Sequence, residues 1–162
     1  MAARHQHKLL HAGARAPDFR LPRLEGGEAA IEELIAGPPV LLAFFKITCP
    51  VCQFTLPFLD RMHSPGRLAI YGISQNDAAD TLDFNRELGV KFPTLLDSEE
   101  DGFPVSNAFG ISSVPTMFLI EPGGTVSRVM EGWSKTEIEW LGGRAGVKPF
   151  RPGENVPAWK AG

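Results

Sequence analysis

The strongest constraint on the fold of this chain is an uninterrupted apolar run, Val40–Phe45, followed closely by the segment Cys49-Pro50-Val51-Cys52. An apolar run of this length without polar alternation is typical of a central parallel strand that is covered on both faces. After the cysteines, apolar residues recur at helical spacing as far as Met62. The sequence therefore predicts a buried strand, a short turn that carries both cysteines, and a helix.

The two cysteines are the only ones in the chain, and two residues separate them. A Cys-x-x-Cys pair where a strand gives way to a helix indicates a dithiol/disulfide redox centre. The thiolate is the reactive form of cysteine, and the free N–H groups at a helix N-terminus stabilise it. We therefore predict that Cys49 attacks the substrate disulfide and that Cys52, one turn further on, is the buried resolving thiol. Pro50 suits the first helical position, where a missing N–H costs nothing.

Composition excludes several other classes of protein. The chain has 162 residues, a single-domain length, and 16 basic against 19 acidic residues give a net charge of −3. This charge is too small and too mixed to indicate binding to nucleic acid. The apolar runs are far shorter than the ~20 residues of a membrane span. We expect a monomer that has no cofactor and no bound metal.

The chain divides into three predicted parts. Residues 1–12 form a flexible polar tail, in which His5, His7 and His11 are interpreted as solvated rather than as metal ligands. Residues 13–145 form the folded domain, and residues 146–162 form an extended, proline-rich tail that Phe150 and Trp159 would hold against the domain. The N-terminus has no apolar central stretch and is unlike a signal peptide, so we expect a cytoplasmic protein.

The remaining pattern predicts an α/β fold. Its predicted elements are strands at 68–73, 92–96, 116–120 and 125–130, a helix at 77–88, and a last helix that Ser134 caps and that runs to Leu141. Alternating strands and helices indicate a parallel βαβ part, and the turn at 122–124 indicates a C-terminal antiparallel hairpin. The result is an α/β/α sandwich around a mixed sheet. The acidic loop 97–101, Glu121 and Glu131 are predicted to be solvated, whereas Trp133 and Trp140 are predicted to pack.

Several motifs, in order, resemble the thioredoxin fold and, within it, the TlpA/ResA-like and AhpC/TSA redoxin group. Ala16-Pro17-Asp18-Phe19 resembles the opening of redoxin-type domains, and Pro57 matches the proline that lies five residues after the second cysteine. The segment 71–74, with the helix after it and Phe92-Pro93-Thr94, resembles the central insertion of TlpA-like proteins. The segment 110–116 resembles the family segment that carries a cis-proline.

The resemblance implies a thiol-disulfide oxidoreductase in cell redox homeostasis, with a disulfide substrate and a redox partner. It implies that the Val114–Pro115 bond is cis and lies against the cysteine pair, and that the backbone of Val114 pairs with an extended substrate strand. Thr48 and Pro50, which flank Cys49, are predicted to contact the substrate. TlpA-like relatives are commonly exported, so an extracytoplasmic location is the alternative to the cytoplasm.

Three positions depart from the family pattern. Thr48 stands where the residue before the first cysteine is usually Trp, Ala43 stands where thioredoxins bury an acid, and Thr55 stands where TlpA-like proteins often carry Glu. Two carboxylates that usually transfer protons are therefore absent. The departures concern the rate and the redox potential more than the type of reaction.

Two alternatives remain open from the sequence. A thiol peroxidase of the peroxiredoxin type shares the opening motif, but its Pro-x-x-x-Thr/Ser-x-x-Cys motif is missing, because Leu42 and Lys46 stand at the required positions before Cys49. A non-enzymatic module that binds a soft metal such as Cu(I) could use the two cysteines, but no second Cys-x-x-Cys and no spaced histidine pair accompanies them.

Lys46 could add positive potential near Cys49, but we interpret it as a solvated lysine at a strand end.

Overall fold

A computed structural model describes residues 8–162, so His5 and His7 lie outside the described residues. The elements in chain order are β1 (Arg20–Pro22), β2 (Glu28–Ala30), α1 (Ile31–Leu34), β3 (Val40–Phe45), α2 (Pro50–Met62), β4 (Ala69–Ser74), α3 (Ala78–Leu88), β5 (Thr94–Leu96), α4 (Pro104–Ala108), β6 (Thr116–Ile120), β7 (Val126–Glu131), β8 (Trp133–Ser134), α5 (Lys135–Ala145) and β9 (Trp159–Lys160).

The main sheet of the described chain has five strands in the order β5-β4-β3-β6-β7. Strands β3, β4 and β5 are parallel to one another, whereas β6 is antiparallel to β3 and β7 is antiparallel to β6. The mixed sheet with its parallel βαβ part and C-terminal hairpin is therefore confirmed. Strand β3 lies at the centre and all six of its residues are buried, as its unbroken apolar run predicted.

Helices cover both faces of this sheet, which confirms the α/β/α sandwich. Leu41, Ala43 and Phe45 of β3 face a core that α2, α3 and α5 complete. The alternate residues, Val40, Leu42 and Phe44, face a second core that includes residues of α1 and α4. Because side chains alternate along a strand, an uninterrupted apolar sequence is what a strand between two cores requires.

The acidic loop 97–101 is not solvated throughout, so the prediction for Asp97 was wrong. The Asp97 side chain is fully buried and accepts hydrogen bonds from the N–H groups of Val105 and Ser106 at 3.1 and 2.6 Å, and from the Ser106 hydroxyl at 2.6 Å. These donors belong to the first turn of α4, a helix that was not predicted from the sequence. A carboxylate satisfies the free N–H groups at a helix start, so Asp97 holds this short helix in place.

The predictions for the Glu121 and Trp159 side chains were also wrong. Glu121 is not simply solvated, because it accepts a hydrogen bond from Arg144 of α5 at 2.8 Å, and this contact lowers the pKa of the Glu121 carboxyl. Trp159 does not hold the C-terminal segment by its ring, which is 66% exposed. The backbone of β9 pairs with β8 over two residues, while Phe150 packs edge-on against Phe58 with ring centroids 5.5 Å apart.

Candidate active site

Cys49 lies at the end of the turn that follows β3 and is the N-cap residue of α2. Its sulfur accepts a hydrogen bond from the N–H of Cys52 at 3.1 Å, and Pro50 occupies the first helical position, as predicted. The Cys49 side chain is half-buried, so a substrate sulfur can reach it. A thiolate at this position is stabilised both by the N–H group and by the positive end of the helix dipole.

Cys52 lies one helical turn inside α2 and is completely buried. Removal from water, followed by the hydrogen bond with Cys49, strongly raises the pKa of the Cys52 thiol. The two cysteines are not joined by a disulfide in this structure. The pair therefore consists of one accessible sulfur at the N-terminal end of α2 and one inaccessible sulfur whose thiol has a raised pKa.

Hydrogen bonds from outside the cysteine pair fix the turn that precedes Cys49. The N–H of Ile47 donates to the Asn76 side chain at 3.0 Å, and the Gln53 amide donates to the Ile47 carbonyl at 2.9 Å. Asn76 follows β4, the parallel neighbour of β3, so the carboxyl ends of the two strands meet here. The positioning roles of Gln53 and Asn76 were not predicted, because these polar contacts leave no local pattern in the sequence.

The segment before β6 faces the cysteine pair. The Val114–Pro115 peptide bond is cis, as predicted from the family segment. The Cys49 thiol donates to the Val114 carbonyl oxygen with the sulfur 3.4 Å from it, so residues 65 positions apart meet in the site. The N–H of Gly132 donates to the Pro115 carbonyl at 2.8 Å, which ties the cis-proline segment to the chain just before β8.

The predicted substrate-contact residues form the accessible rim of the site. Thr48 and Pro50 are exposed on either side of Cys49, and Lys46 is exposed three residues before it. A surface pocket of about 190 Å³ adjoins this rim. Its lining residues are largely polar: Lys46, Gln75, Phe103, Ser106, Asn107 and the segment 111–114. Val114 thus borders both Cys49 and the pocket, and the side chains from α4 were not foreseen from the sequence.

The two positions that usually carry a carboxyl group are buried in the core. Ala43 and Thr55 are both completely inaccessible to solvent, and the Thr55 hydroxyl oxygen has no hydrogen-bond partner within residues 8–162. Neither residue can accept a proton from Cys52 as a carboxylate would.

Within residues 8–162, no group of three or more His, Cys, Asp or Glu side chains is placed to hold a metal ion, and two of the three tail histidines lie outside that range. Over the same residues, no helix combines the length and apolar character needed to span a membrane.

The chain is similar to known proteins that are named for thiol-disulfide exchange. The sequence profile of the AhpC/TSA family matches residues 12–129. A thiol-disulfide oxidoreductase ResA from Halalkalibacterium halodurans is 30% identical over 128 residues, which cover 76% of this chain and 70% of the relative. A ResA from Geobacillus thermodenitrificans is 28% identical over 74% of this chain and 69% of its own length. The crystal structure of a putative thiol:disulfide interchange protein DsbE from Chlorobium tepidum shares the fold, with a TM-score of 0.73 and 23% identity over 87% of this chain and 99% of that one.

Proposed function

The chain belongs to the AhpC/TSA family and is a thiol-disulfide oxidoreductase, and we propose that Cys49 is its attacking nucleophile and Cys52 its resolving thiol. The observation that carries this assignment is the unequal placement of the two sulfurs. Cys49 caps α2 at the surface and contacts the cis-proline segment, whereas Cys52 is buried one turn inside the helix.

The proposed reduction of a substrate proceeds in two exchanges. The Cys49 thiolate attacks one sulfur of the substrate disulfide, the substrate S–S bond breaks, and the first substrate thiolate departs. Cys52 then passes its proton to this departing thiolate and attacks the Cys49 sulfur, which forms the Cys49–Cys52 disulfide and expels the second substrate thiolate. Two electrons pass from the dithiol to the substrate. The same steps in reverse oxidise a substrate dithiol.

Burial of Cys52 supports this order of events. The raised pKa of its thiol keeps it protonated and unreactive until a mixed disulfide on Cys49 lies beside it. Because neither Ala43 nor Thr55 has a carboxyl group, the first departing substrate thiolate is the proposed acceptor of the Cys52 proton.

Val114 is proposed to pair with an extended segment of the substrate, with Thr48 and Pro50 beside it.

Reduction of insulin with dithiothreitol as electron donor tests the roles of the cysteines. We expect Cys49→Ser to abolish turnover, because no accessible thiolate remains. The matched variant Cys52→Ser should also lose turnover but should still form a mixed disulfide. Insulin reduction at the wild-type rate by Cys49→Ser would refute the mechanism. The reduction potential of the pair, measured in glutathione buffers, would show in which direction the electrons flow.

The alternative functions are not favoured. The named curated relatives are thiol-disulfide oxidoreductases rather than peroxidases, and Leu42 and Lys46 replace the residues of the peroxidase motif. Catalytic consumption of hydrogen peroxide that depends on Cys49 would support the peroxidase alternative. Stoichiometric Cu(I) binding without disulfide reduction would instead support the metal module.

The assembly and location of the protein are further parts of the proposal. The proposed site takes Cys49, Cys52, Val114 and Pro115 from one chain, which supports a working monomer, and sedimentation at micromolar concentration tests it. Membership of a group whose TlpA-like members are commonly exported supports the extracytoplasmic alternative over the cytoplasmic prediction. A fusion of the native gene to a reporter that is active only outside the cytoplasm distinguishes the two.

A further inference from the structure

The C-terminal segment crosses the α2 side of the domain and ends at the proposed substrate-docking site. We call residues 147–162 the strap. Its first part is firmly attached: Phe150 packs against Phe58, and Arg61 of α2 makes two hydrogen bonds to the Glu154 carboxylate at 2.7 and 2.9 Å. The Trp133 indole N–H, which is wholly buried, donates to the Pro157 carbonyl at 2.7 Å.

The last part of the strap is attached by far fewer contacts. Strand β9 pairs with β8 over two residues only, and residues 158–162 are all exposed. The Lys160 ammonium lies 5.2 Å from the centre of the Phe54 ring, an exposed contact of small expected strength. Short exposed pairings of this kind open more readily than buried ones, so residues 159–162 can detach while the first part of the strap stays in place.

Gly162 lies directly against the carbonyl of Val114. A β-carbon at residue 162 would overlap the Val114 oxygen and would come within 3.3 Å of the Pro115 ring. Gly132, beside β8, is similarly crowded by the carbonyl of Lys160. The strap therefore covers the same carbonyl oxygen that the Cys49 thiol contacts at 3.4 Å.

An extended substrate segment cannot reach this carbonyl while Gly162 covers it. We propose that residues 159–162 occupy the polypeptide-docking site at Val114 and that a protein substrate must displace them before it reacts with Cys49. This inference rests on the proposed function of Val114 as the docking strand. A small disulfide, which needs no backbone pairing, can reach the half-buried Cys49 without displacing the strap.

When the strap occupies the site, only a fraction of the molecules can bind a protein substrate. The apparent affinity for that substrate is the intrinsic affinity multiplied by this free fraction. If about one molecule in five has the site free, removal of the competing segment lowers the KM for that substrate about fivefold. The kcat value should stay unchanged, because the cysteines and the cis-proline segment are untouched. The rate with a small disulfide should change less than about twofold.

The test compares four proteins with two substrates. Deletion of residues 159–162 and the substitution Gly162→Val, which places a branched side chain against Val114, should both lower the KM for insulin. The matched control Ala161→Val adds similar bulk at the adjacent exposed position and should behave as wild type. The small disulfide 5,5′-dithiobis(2-nitrobenzoate) should be reduced by all of them at similar rates.

The outcomes separate this inference from the proposed function. An unchanged KM for insulin in both the deletion and Gly162→Val would overturn the inference. An increased KM would overturn it as well, because the strap would then help to bind the substrate rather than compete with it. The proposed function would instead be refuted if the wild-type protein showed no Cys49-dependent reduction of either disulfide. Gly162→Val keeps every residue of the strap, so a folding defect of the deletion leaves the inference testable.

Discussion

Asp97 is predicted to stabilise α4 and, through it, one wall of the pocket beside Cys49. Its buried carboxylate accepts hydrogen bonds from the N–H groups of Val105 and Ser106 and from the Ser106 hydroxyl. The Ser106 hydroxyl in turn accepts a hydrogen bond from the Gln75 amide at 2.9 Å. Replacing Asp97 with Ala removes the acceptor from all three donors at once.

The size of the effect follows from the donors that lose their partner. A buried N–H without an acceptor costs about 1–3 kcal/mol, so the two N–H groups together cost about 2–6 kcal/mol. Removing a buried carboxylate also relieves its desolvation, which offsets part of this cost. We therefore expect Asp97→Ala to lower the free energy of unfolding by about 2–4 kcal/mol. Asp97→Asn keeps one acceptor oxygen and should lower it by about 1–2 kcal/mol.

Urea unfolding followed by tryptophan fluorescence and by circular dichroism measures these differences. Asp101→Ala is the matched control, because Asp101 is an exposed acid in the same loop, and its effect should stay within about 0.5 kcal/mol. A free energy of unfolding for Asp97→Ala within about 0.5 kcal/mol of wild type would refute the anchoring role. Equal losses for Asp97→Ala and Asp101→Ala would refute it as well.

Two further predictions concern the core beneath Cys52 and the attachment of the strap. Thr55→Val removes a buried hydroxyl that lacks a hydrogen-bond partner in the described chain, so we expect a gain of about 1 kcal/mol in urea unfolding, and a loss of stability would contradict this. Arg61 holds the pKa of the Glu154 carboxyl at about 2, below its usual 4.5, so this ion pair stabilises the folded chain fully above about pH 4.5 and fades as the pH falls towards 2. Glu154→Gln should therefore be less stable than wild type near pH 6, and this deficit should shrink as the pH falls towards 2; an equal deficit at both pH values would contradict the assignment.

The parts of the fold that were predictable from sequence depend on local pattern. Strand β3 and the start of α2 follow from an unbroken apolar run and a proline directly after Cys49. Helix α3 begins after Asp77 and ends at Gly89, whose φ of 69° suits glycine. The cysteine pair was identifiable because residue type, spacing and the strand-to-helix junction all indicate the same chemistry.

The parts that were missed depend on partners distant in the sequence. Arg61 and Glu154 are 93 residues apart, and nothing near either residue indicates that they pair. An acidic loop such as 97–101 is usually solvated, and only the tertiary position of α4 places Asp97 in the core. Pro104 at the first position of α4 was a local signal for that helix, because proline is favoured there. The strap reaches Val114 through the backbone of Gly162. A glycine has no side chain, so this contact leaves no pattern in the sequence.

The central claim, that Cys49 attacks and Cys52 resolves, is tested most directly by locating the mixed disulfide. Cys52→Ser and Cys49→Ser are each reduced, mixed with a disulfide-bonded protein substrate, quenched with acid and digested for mass mapping. The account predicts a stable adduct on Cys49 in Cys52→Ser and almost none on Cys52 in Cys49→Ser, because Cys52 is buried and protonated. An adduct that forms on Cys52 as fast as on Cys49 would contradict the assignment of the two thiols.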